Sequence, residues 1–218
     1  EGTRDLLGHR FWNATEACCN ANNSTVDDVA YLKAIIDGVR REFNVDVKRI
    51  YLIGHSNGGF MAYRMAAEHA DVIAAIVSIG GASSLSFVKP ISPVNILHIH
   101  GTADSIVTFN NGSAIPVPSM PPITFQVPYP GAVASIDQWL LFNGGASRTT
   151  ESTRTLDLDL NVAGLDTVVT RGVGSAAGGA VELWAIQGGG HFPLAKRGTE
   201  QSQLAAKAVE WLLDHPKP

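Results

Sequence analysis

The sequence predicts an α/β fold in which helices cover both faces of a mostly parallel sheet. Three largely apolar runs lie at residues 50–53, 72–79 and 94–100, and the first of them shows no polar alternation. Such runs are typical of parallel strands that are covered on both faces. Apolar residues recur at helical spacing before, between and after these runs. Strands that alternate with helices in this way imply a parallel sheet.

Four helices are predicted around these strands. The first is capped by Ser24 or Thr25 and runs to about Phe43, because an apolar series at helical spacing starts at Val29. The second begins directly after Ser56 and ends near His69. The remaining two are expected at residues 132–142 and 201–213.

The second half of the chain carries further strand patterns. Residues 156–160 alternate like a half-exposed strand, and residues 166–171 and 180–186 resemble hairpin partners across a Gly/Ala-rich turn. Six of the eleven prolines lie between Pro116 and Pro130. A loop as long as residues 106–130 in a compact domain is usually functional or mobile. It is therefore either a substrate-flanking loop or lid, or a proline-stiffened wrap on the surface.

Composition limits the class of protein. The chain has 218 residues, 45% of them hydrophobic and 17% charged, so residues 1–218 are expected to form one globular domain. The net charge is −4 and no block of Lys or Arg occurs, which argues against nucleic acid or a membrane surface as a partner. No metal or cofactor motif is recognised, so neither group is expected.

Cys18 and Cys19 are the two cysteines, and they are adjacent. Neighbouring Cα atoms lie about 3.8 Å apart across a trans peptide, whereas ordinary disulfides join Cα atoms roughly 4.4–6.8 Å apart. A bond between them would close a distorted eight-membered ring. A disulfide between neighbours and two buried thiols both stay open.

The chemical prediction centres on residues 51–60, where an apolar strand meets the turn Gly-His-Ser-Asn-Gly and a helix follows. Strand, sharp turn and helix is the context of a nucleophile elbow. The strained central residue, Ser56, requires small neighbours at Gly54 and Gly58. Its hydroxyl would then stand at a helix N-terminus, and the N–H of Asn57 would be one donor of an oxyanion hole.

A serine nucleophile needs a base and a group that orients the base. His191 follows the last apolar strand and Asp104 follows the third, so both can meet Ser56 at the carboxyl edge of a parallel sheet. The order Ser, Asp, His is that of α/β-hydrolases. Other candidate carboxylates do not end a buried strand; they are Asp137, Asp157, Asp159 and Asp166.

The remaining candidates concern substrate binding and structure. Trp12 either belongs to the core or walls a substrate pocket, and His55 is the second candidate for substrate binding, although its side chain should point away from Ser56. His98 and His100 alternate within a strand and are interpreted as structural.

Several motifs together resemble a known family. They are Phe11-Trp12-Asn13-Ala14 with the cysteine pair, Val26-Asp27-Asp28-Val29, the elbow, His100-Gly101-Thr102-Ala103-Asp104 and Gly189-Gly190-His191. The chain resembles the secreted polyhydroxybutyrate depolymerase or feruloyl esterase branch of the α/β-hydrolases. The resemblance implies a Ser56–Asp104–His191 triad, an extracellular location and esters of hydroxyalkanoates, aryl acids or acetylated sugars as substrates.

One departure from that family bears on the expectations. Its members carry strands ahead of the segment that begins here, with a loop that supplies a second oxyanion donor. The chain is therefore expected to be N-terminally truncated, with residues 50–53 at an apolar sheet edge that a second copy could cover as a homodimer. The alternative to an active esterase is an impaired homologue that binds an ester or polymer without efficient turnover.

Overall fold

The computed structural model describes residues 2–4, 8, 10–19, 24–115 and 123–218. The helices are α1 (Asp28–Glu42), α2 (Asn57–Glu68), α3 (Ala132–Phe142) and α4 (Leu204–Asp214). The strands are β1 (Thr3–Arg4), β2 (Arg10–Phe11), β3 (Tyr51–His55), β4 (Ala75–Ile79), β5 (Asn95–Gly101), β6 (Gly112–Ile115), β7 (Ile123–Tyr129), β8 (Ser147–Thr150), β9 (Thr167–Val173), β10 (Val181–Ile186), β11 (Lys196–Arg197) and β12 (Glu200–Gln201).

The central sheet has six strands in the order β3-β4-β5-β10-β9-β8. The first four run parallel, whereas β9 is antiparallel to β10 and β8 is antiparallel to β9. The predicted α/β fold with a mostly parallel sheet is confirmed. The predicted hairpin of residues 166–171 and 180–186 corresponds to β9 and β10.

Helices cover both faces of this sheet, as the sequence predicts. On one face, α2 and α3 bury Tyr63, Ile136 and Trp139 against β4, β5 and β10. On the other face, α4 buries Trp211 and Leu212 against the same strands and β9. Parallel strands that are covered on both sides carry apolar residues at consecutive positions, which explains the apolar run of β4.

A third apolar cluster joins the N-terminal segment to α2. Ala14 and Cys18 pack with Phe60 and Met65 beneath this segment. Cys18 and Cys19 form a disulfide between neighbouring residues, so the alternative of two free thiols is wrong. The segment thereby lies against the helix that follows Ser56.

Two local predictions are wrong. The N-cap of α1 is Asp27, whose carboxylate accepts the Ala30 N–H at 2.9 Å, and not Ser24 or Thr25. Residues 156–160 do not form a strand: the buried Asp166 carboxylate binds the N–H groups of this segment, and only Leu156 makes a β-bridge. A side-chain carboxylate has taken the place of a strand partner.

The proline-rich region differs from the predicted loop. In its described part β6 and β7 pair as an antiparallel hairpin, and Tyr129 at the end of β7 packs edge-on against Phe60. The prolines of residues 116–122 lie outside the described residues. That this region flanks the substrate stays a prediction.

Within the described ranges, β3 lies at one edge of the central sheet and Ile53 is 53% exposed. The homodimer through this edge stays a prediction. No helix of the described chain has both the length and the apolar character needed to cross a membrane.

Candidate active site

Ser56 occupies the sharp turn between β3 and α2. Its backbone has φ 54° and ψ −121°, a left-handed conformation that is costly for a residue with a side chain. The turn is tied to the neighbouring strand, because the Ser56 N–H donates to the Ile79 carbonyl at the end of β4 over 2.8 Å. The serine hydroxyl is thus presented at the carboxyl edge of the sheet.

The sequence predicts that the residues two positions before and after Ser56 must both be small, but the structure restricts only one of them. A Cβ on Gly54 would lie 2.0 Å from the Gly58 carbonyl oxygen, so no other residue fits there without moving the backbone. A Cβ on Gly58 would meet nothing within 4 Å. The requirement therefore holds for Gly54, and the expectation for Gly58 is wrong because its α-carbon faces open space.

His191 lies in the loop that follows β10 and reaches back to the turn. Its Nε2 is 2.9 Å from the Ser56 Oγ, and its Nδ1 is 2.7 Å from the Asp104 Oδ2. His191 is 6% exposed and the Asp104 side chain is fully buried. Three groups that are far apart in the sequence thus form one continuous line of hydrogen bonds.

Asp104 is oriented by the backbone just beyond β5. Its Oδ1 accepts the N–H groups of Ile106 and Val107 at 2.8 and 2.9 Å, which leaves Oδ2 for the histidines. Burial alone would raise the pKa of this carboxyl. Hydrogen bonds from His100, His191 and the Ile106 N–H outweigh burial and hold the pKa well below its ordinary value. Asp104 is therefore an anion at neutral pH.

Gly80 makes room for this pair, a requirement that the sequence analysis did not identify. It has φ +56°, and a Cβ there would lie 3.3 Å from His191 Nδ1 and 3.5 Å from Asp104 Oδ2. The Gly80-Gly81 pair directly after a buried strand was the available signal.

The other candidate carboxylates lie elsewhere. Asp137 forms an exposed ion pair with Arg148. Asp159 accepts the Leu194 N–H at 2.8 Å and Asp166 binds backbone N–H groups of residues 158 and 159, so both support loops next to the site. Asp157 accepts no hydrogen bond from His191.

Asn57 connects the turn to the N-terminal segment. Its side-chain oxygen accepts the Trp12 N–H at 2.6 Å and its amide nitrogen donates to the Trp12 carbonyl at 2.9 Å. Because Asn57 is the first residue of α2, its own N–H has no partner within the helix. That N–H is available at the positive end of the helix dipole.

His55 contacts the loop that carries His191. Its Nε2 donates to the His191 carbonyl oxygen at 2.7 Å, and its ring lies 5.2 Å from that of Phe192. Burial lowers the pKa of His55 by more than the hydrogen bond to the His191 carbonyl raises it, so the imidazole is neutral near pH 7.

An open pocket of about 480 Å³ lies at the turn. Trp12, His55 and Ser56 line it together with Arg10 and Phe11. Both predicted substrate-binding residues therefore border the same pocket as Ser56. No group of three metal-ligating side chains occurs among the described residues.

Comparison with known proteins identifies the fold. A family model described as alpha/beta hydrolase fold matches residues 5–97. An acetyl xylan esterase from Aspergillus awamori has a similar fold, with a TM-score of 0.53, 15% identity and coverage of 85% of this chain and 66% of its own. The chain therefore has the α/β-hydrolase fold.

Two curated relatives of this protein carry esterase names. Feruloyl esterase B of Piromyces equi is 31% identical over 198 residues, which are 88% of this chain and 32% of the relative. The protein named esterase NocK from Nocardia uniformis subsp. tsuyamanensis is 31% identical over 147 residues, 66% of this chain and 42% of its own. The chain thus spans less than half the length of these relatives.

Proposed function

We propose that this protein is a serine esterase that cleaves carboxylic esters through an acyl-enzyme. The observation that carries the proposal is the line of short contacts from Ser56 Oγ through the His191 ring to Asp104 Oδ2, at 2.9 and 2.7 Å. A hydroxyl, an imidazole and a buried carboxylate in this order form the set that activates a serine.

In the acylation step Ser56 Oγ attacks the ester carbonyl carbon while its proton passes to His191 Nε2. Asp104 Oδ2 accepts the Nδ1–H of His191, which keeps Nε2 free to act as the base and stabilises the imidazolium. When the tetrahedral intermediate collapses, the bond to the alkoxide breaks and His191 returns the proton to the leaving oxygen. The acyl group then remains on Ser56.

The deacylation step repeats these roles with water. His191 takes a proton from water, the hydroxide adds to the acyl carbon, and Ser56 leaves with the proton that His191 returns. In both steps negative charge develops on the carbonyl oxygen. The Asn57 N–H supports this oxyanion, because it is unpaired within α2 and lies at the N-terminus of that helix.

The substrates proposed are esters of short hydroxyalkanoates, of aryl acids of the feruloyl type, or of acetylated sugars. Trp12 supports this proposal, since it offers an aromatic wall to a pocket that also contains Ser56. The name of the Piromyces relative points to the aryl class. An extracellular location is proposed on the family resemblance alone.

The central test compares the parent protein with Ser56→Ala on p-nitrophenyl acetate and butyrate. Loss of the hydroxyl should remove hydrolysis while circular dichroism and the melting temperature stay close to those of the parent. Full activity in Ser56→Ala would refute the mechanism.

A fluorophosphonate probe separates an esterase from a homologue that only binds esters. Stoichiometric labelling of Ser56 is expected, because the reaction requires an activated serine. A folded protein that binds methyl ferulate but takes up no probe would support the binding function instead. A panel of methyl ferulate, hydroxybutyrate oligomers and acetylated xylose would then identify the preferred ester.

A further inference from the structure

A row of buried polar side chains leads away from the triad into the core. Tyr63 Oη lies 2.8 Å from His98 Nδ1, and His98 Nε2 lies 2.9 Å from His100 Nδ1. His100 Nε2 is 2.8 Å from the Val107 carbonyl oxygen and 3.3 Å from Asp104 Oδ2. Tyr63, His98 and His100 are at most 1% exposed. The three side chains therefore end on the carboxylate that holds His191.

The direction of these hydrogen bonds follows from the carbonyl at the end of the row. Val107 O can only accept, so a neutral His100 must carry its hydrogen on Nε2 and accept at Nδ1. His98 must then donate from Nε2 and accept at Nδ1 from the Tyr63 hydroxyl. Every donor in the row consequently points toward Asp104.

The protonation states agree with this direction. Burial and the nearby His100 hold the pKa of His98 well below its ordinary range, so His98 is neutral. Burial also raises the pKa of the Tyr63 hydroxyl, which therefore keeps its proton. Hydrogen bonds that are aligned in a low-dielectric interior polarise one another.

We propose that Tyr63, His98 and His100 are positioning residues that orient and partly neutralise the Asp104 carboxylate, and thereby set the pH at which His191 can act as a base. The proposal deepens the proposed esterase function and rests on it for its consequence in catalysis. His100 shares its Nε2–H between the Val107 carbonyl and the same Asp104 Oδ2 that His191 contacts. That N–H offsets part of the negative charge that His191 experiences.

Other titratable groups border the same site. His55 at the end of β3 lies next to His191, with ring centres 4.9 Å apart. Asp159 binds the Leu194 N–H in the loop beyond His191. Neither residue belongs to the Tyr63–His98–His100 row, and both are kept unchanged in the test.

The test follows the His191 imidazole directly, so that its outcome does not depend on ester hydrolysis. Histidine-labelled protein is titrated by ¹⁵N NMR, with the His191 signals assigned through His191→Gln. In His100→Leu the carboxylate loses its second donor and attracts a proton on His191 more strongly. The titration midpoint of His191 is expected to rise by about half a unit to one unit.

Two further variants should change the titration midpoint of His191 by smaller amounts. Tyr63→Phe keeps the buried ring but removes the first donor of the row, so a smaller rise of about 0.1–0.3 unit is expected from the loss of cooperative strengthening of about 10–30% per bond. His100→Gln retains an N–H donor near Asp104 and should stay close to the parent. Tyr51→Phe is the matched control, because Tyr51 packs on the opposite face of the sheet.

A purely structural role would give a different pattern. The melting temperature would fall in Tyr63→Phe and His100→Leu, but the His191 midpoint would stay where it is in the parent, and this result overturns the proposal. If His100→Leu does not fold, an unchanged midpoint in Tyr63→Phe overturns it equally. Where esters are hydrolysed, the acid limb of the kcat/KM profile should move with the midpoint. A shifted midpoint without hydrolysis would refute the esterase function and leave the positioning role supported.

Discussion

His55 Nε2 donates a hydrogen bond of 2.7 Å to the backbone carbonyl of His191. The residue that precedes the nucleophile in the chain therefore holds the loop that carries the base. A carbonyl can only accept, so His55 must carry its proton on Nε2. This link ties the end of β3 to the loop beyond β10, which are separated by two strands of the sheet.

The first prediction concerns this link. His55→Phe keeps a ring beside Phe192 but removes the donor, so His191 should spend less time within reach of Ser56. A fall of about fivefold in kcat/KM for p-nitrophenyl butyrate is expected, since a neutral hydrogen bond contributes about 1 kcal/mol.

His55→Gln is the matched control because its amide N–H can reach the same carbonyl. Its kcat/KM should stay within about threefold of the parent. Because burial lowers the pKa of His55, the acid limb of the pH profile should not move in either variant. A His55→Phe enzyme as active as the parent would show that the loop needs no such support.

The second prediction uses the depressed pKa of Asp104. A carboxyl whose pKa is lower in the folded than in the unfolded chain stabilises the fold above its unfolded pKa, near 3.9, and loses that contribution as the pH falls further. In Asp104→Asn, urea denaturation should therefore show a flatter fall in unfolding free energy below about pH 4 than in the parent.

Asp104→Asn should also lower kcat by about 10³–10⁴-fold at neutral pH, since an amide can hold the imidazole in the wrong tautomer. Asp137→Asn changes an exposed aspartate that is paired with Arg148 and serves as the control, with little effect on either measurement. Equal pH dependence of stability in the parent and Asp104→Asn would contradict the electrostatic account.

The third prediction compares two glycines of the turn. Gly54→Ala places a methyl group 2.0 Å from the Gly58 carbonyl oxygen, so β3 and α2 must separate. Gly58→Ala introduces the same group into open space. The first variant should lose labelling by the fluorophosphonate probe and melt at a lower temperature. The second should keep both properties, and similar behaviour of the two variants would be inconsistent with this geometry.

The position of the site can be predicted because each of its residues is marked by a local sequence feature. Ser56, Asp104 and His191 each come just after an apolar run, and the carboxyl ends of parallel strands share one edge. That is why the sequence alone predicts that Ser56 and His191, which are 135 positions apart, lie close together. Packing around Gly58 could not be foreseen, because it depends on the neighbouring surface and not on the turn itself.

The secondary-structure predictions fail where apolar alternation is missing or where a side chain takes the place of a strand partner. Ser147–Thr150 forms the edge strand β8 although all four residues are exposed, so no apolar alternation marks it. Asp166 supplies to residues 158–159 the hydrogen bonds that a strand would supply. Likewise, the alternation of His98 and His100 within β5 does not reveal that the Tyr63 hydroxyl of α2 lies against His98 Nδ1.

The last prediction concerns stability at the amino-terminal ends of β5 and β10, opposite the ends that carry the triad. The buried Asn143 side chain accepts the Val94 N–H and donates to the carbonyls of Val94 and Gly179. It thereby joins the segments that enter β5 and β10. Asn143→Ala leaves these backbone groups without partners in the core, so the unfolding free energy at pH 7 should fall by about 2–4 kcal/mol in urea titrations.

Asn161→Ala is the control for this substitution, because the Asn161 side chain contacts Arg197 at the surface over 3.4 Å. Its unfolding free energy should change by less than about 0.5 kcal/mol. The fraction of Asn143→Ala that remains folded should keep the parental kcat/KM, since Val94 and Gly179 precede their strands while Ser56, Asp104 and His191 follow theirs. If Asn143→Ala were as stable as Asn161→Ala, water would have to satisfy the exposed backbone groups, and the side chain would not be what holds β5 and β10 together.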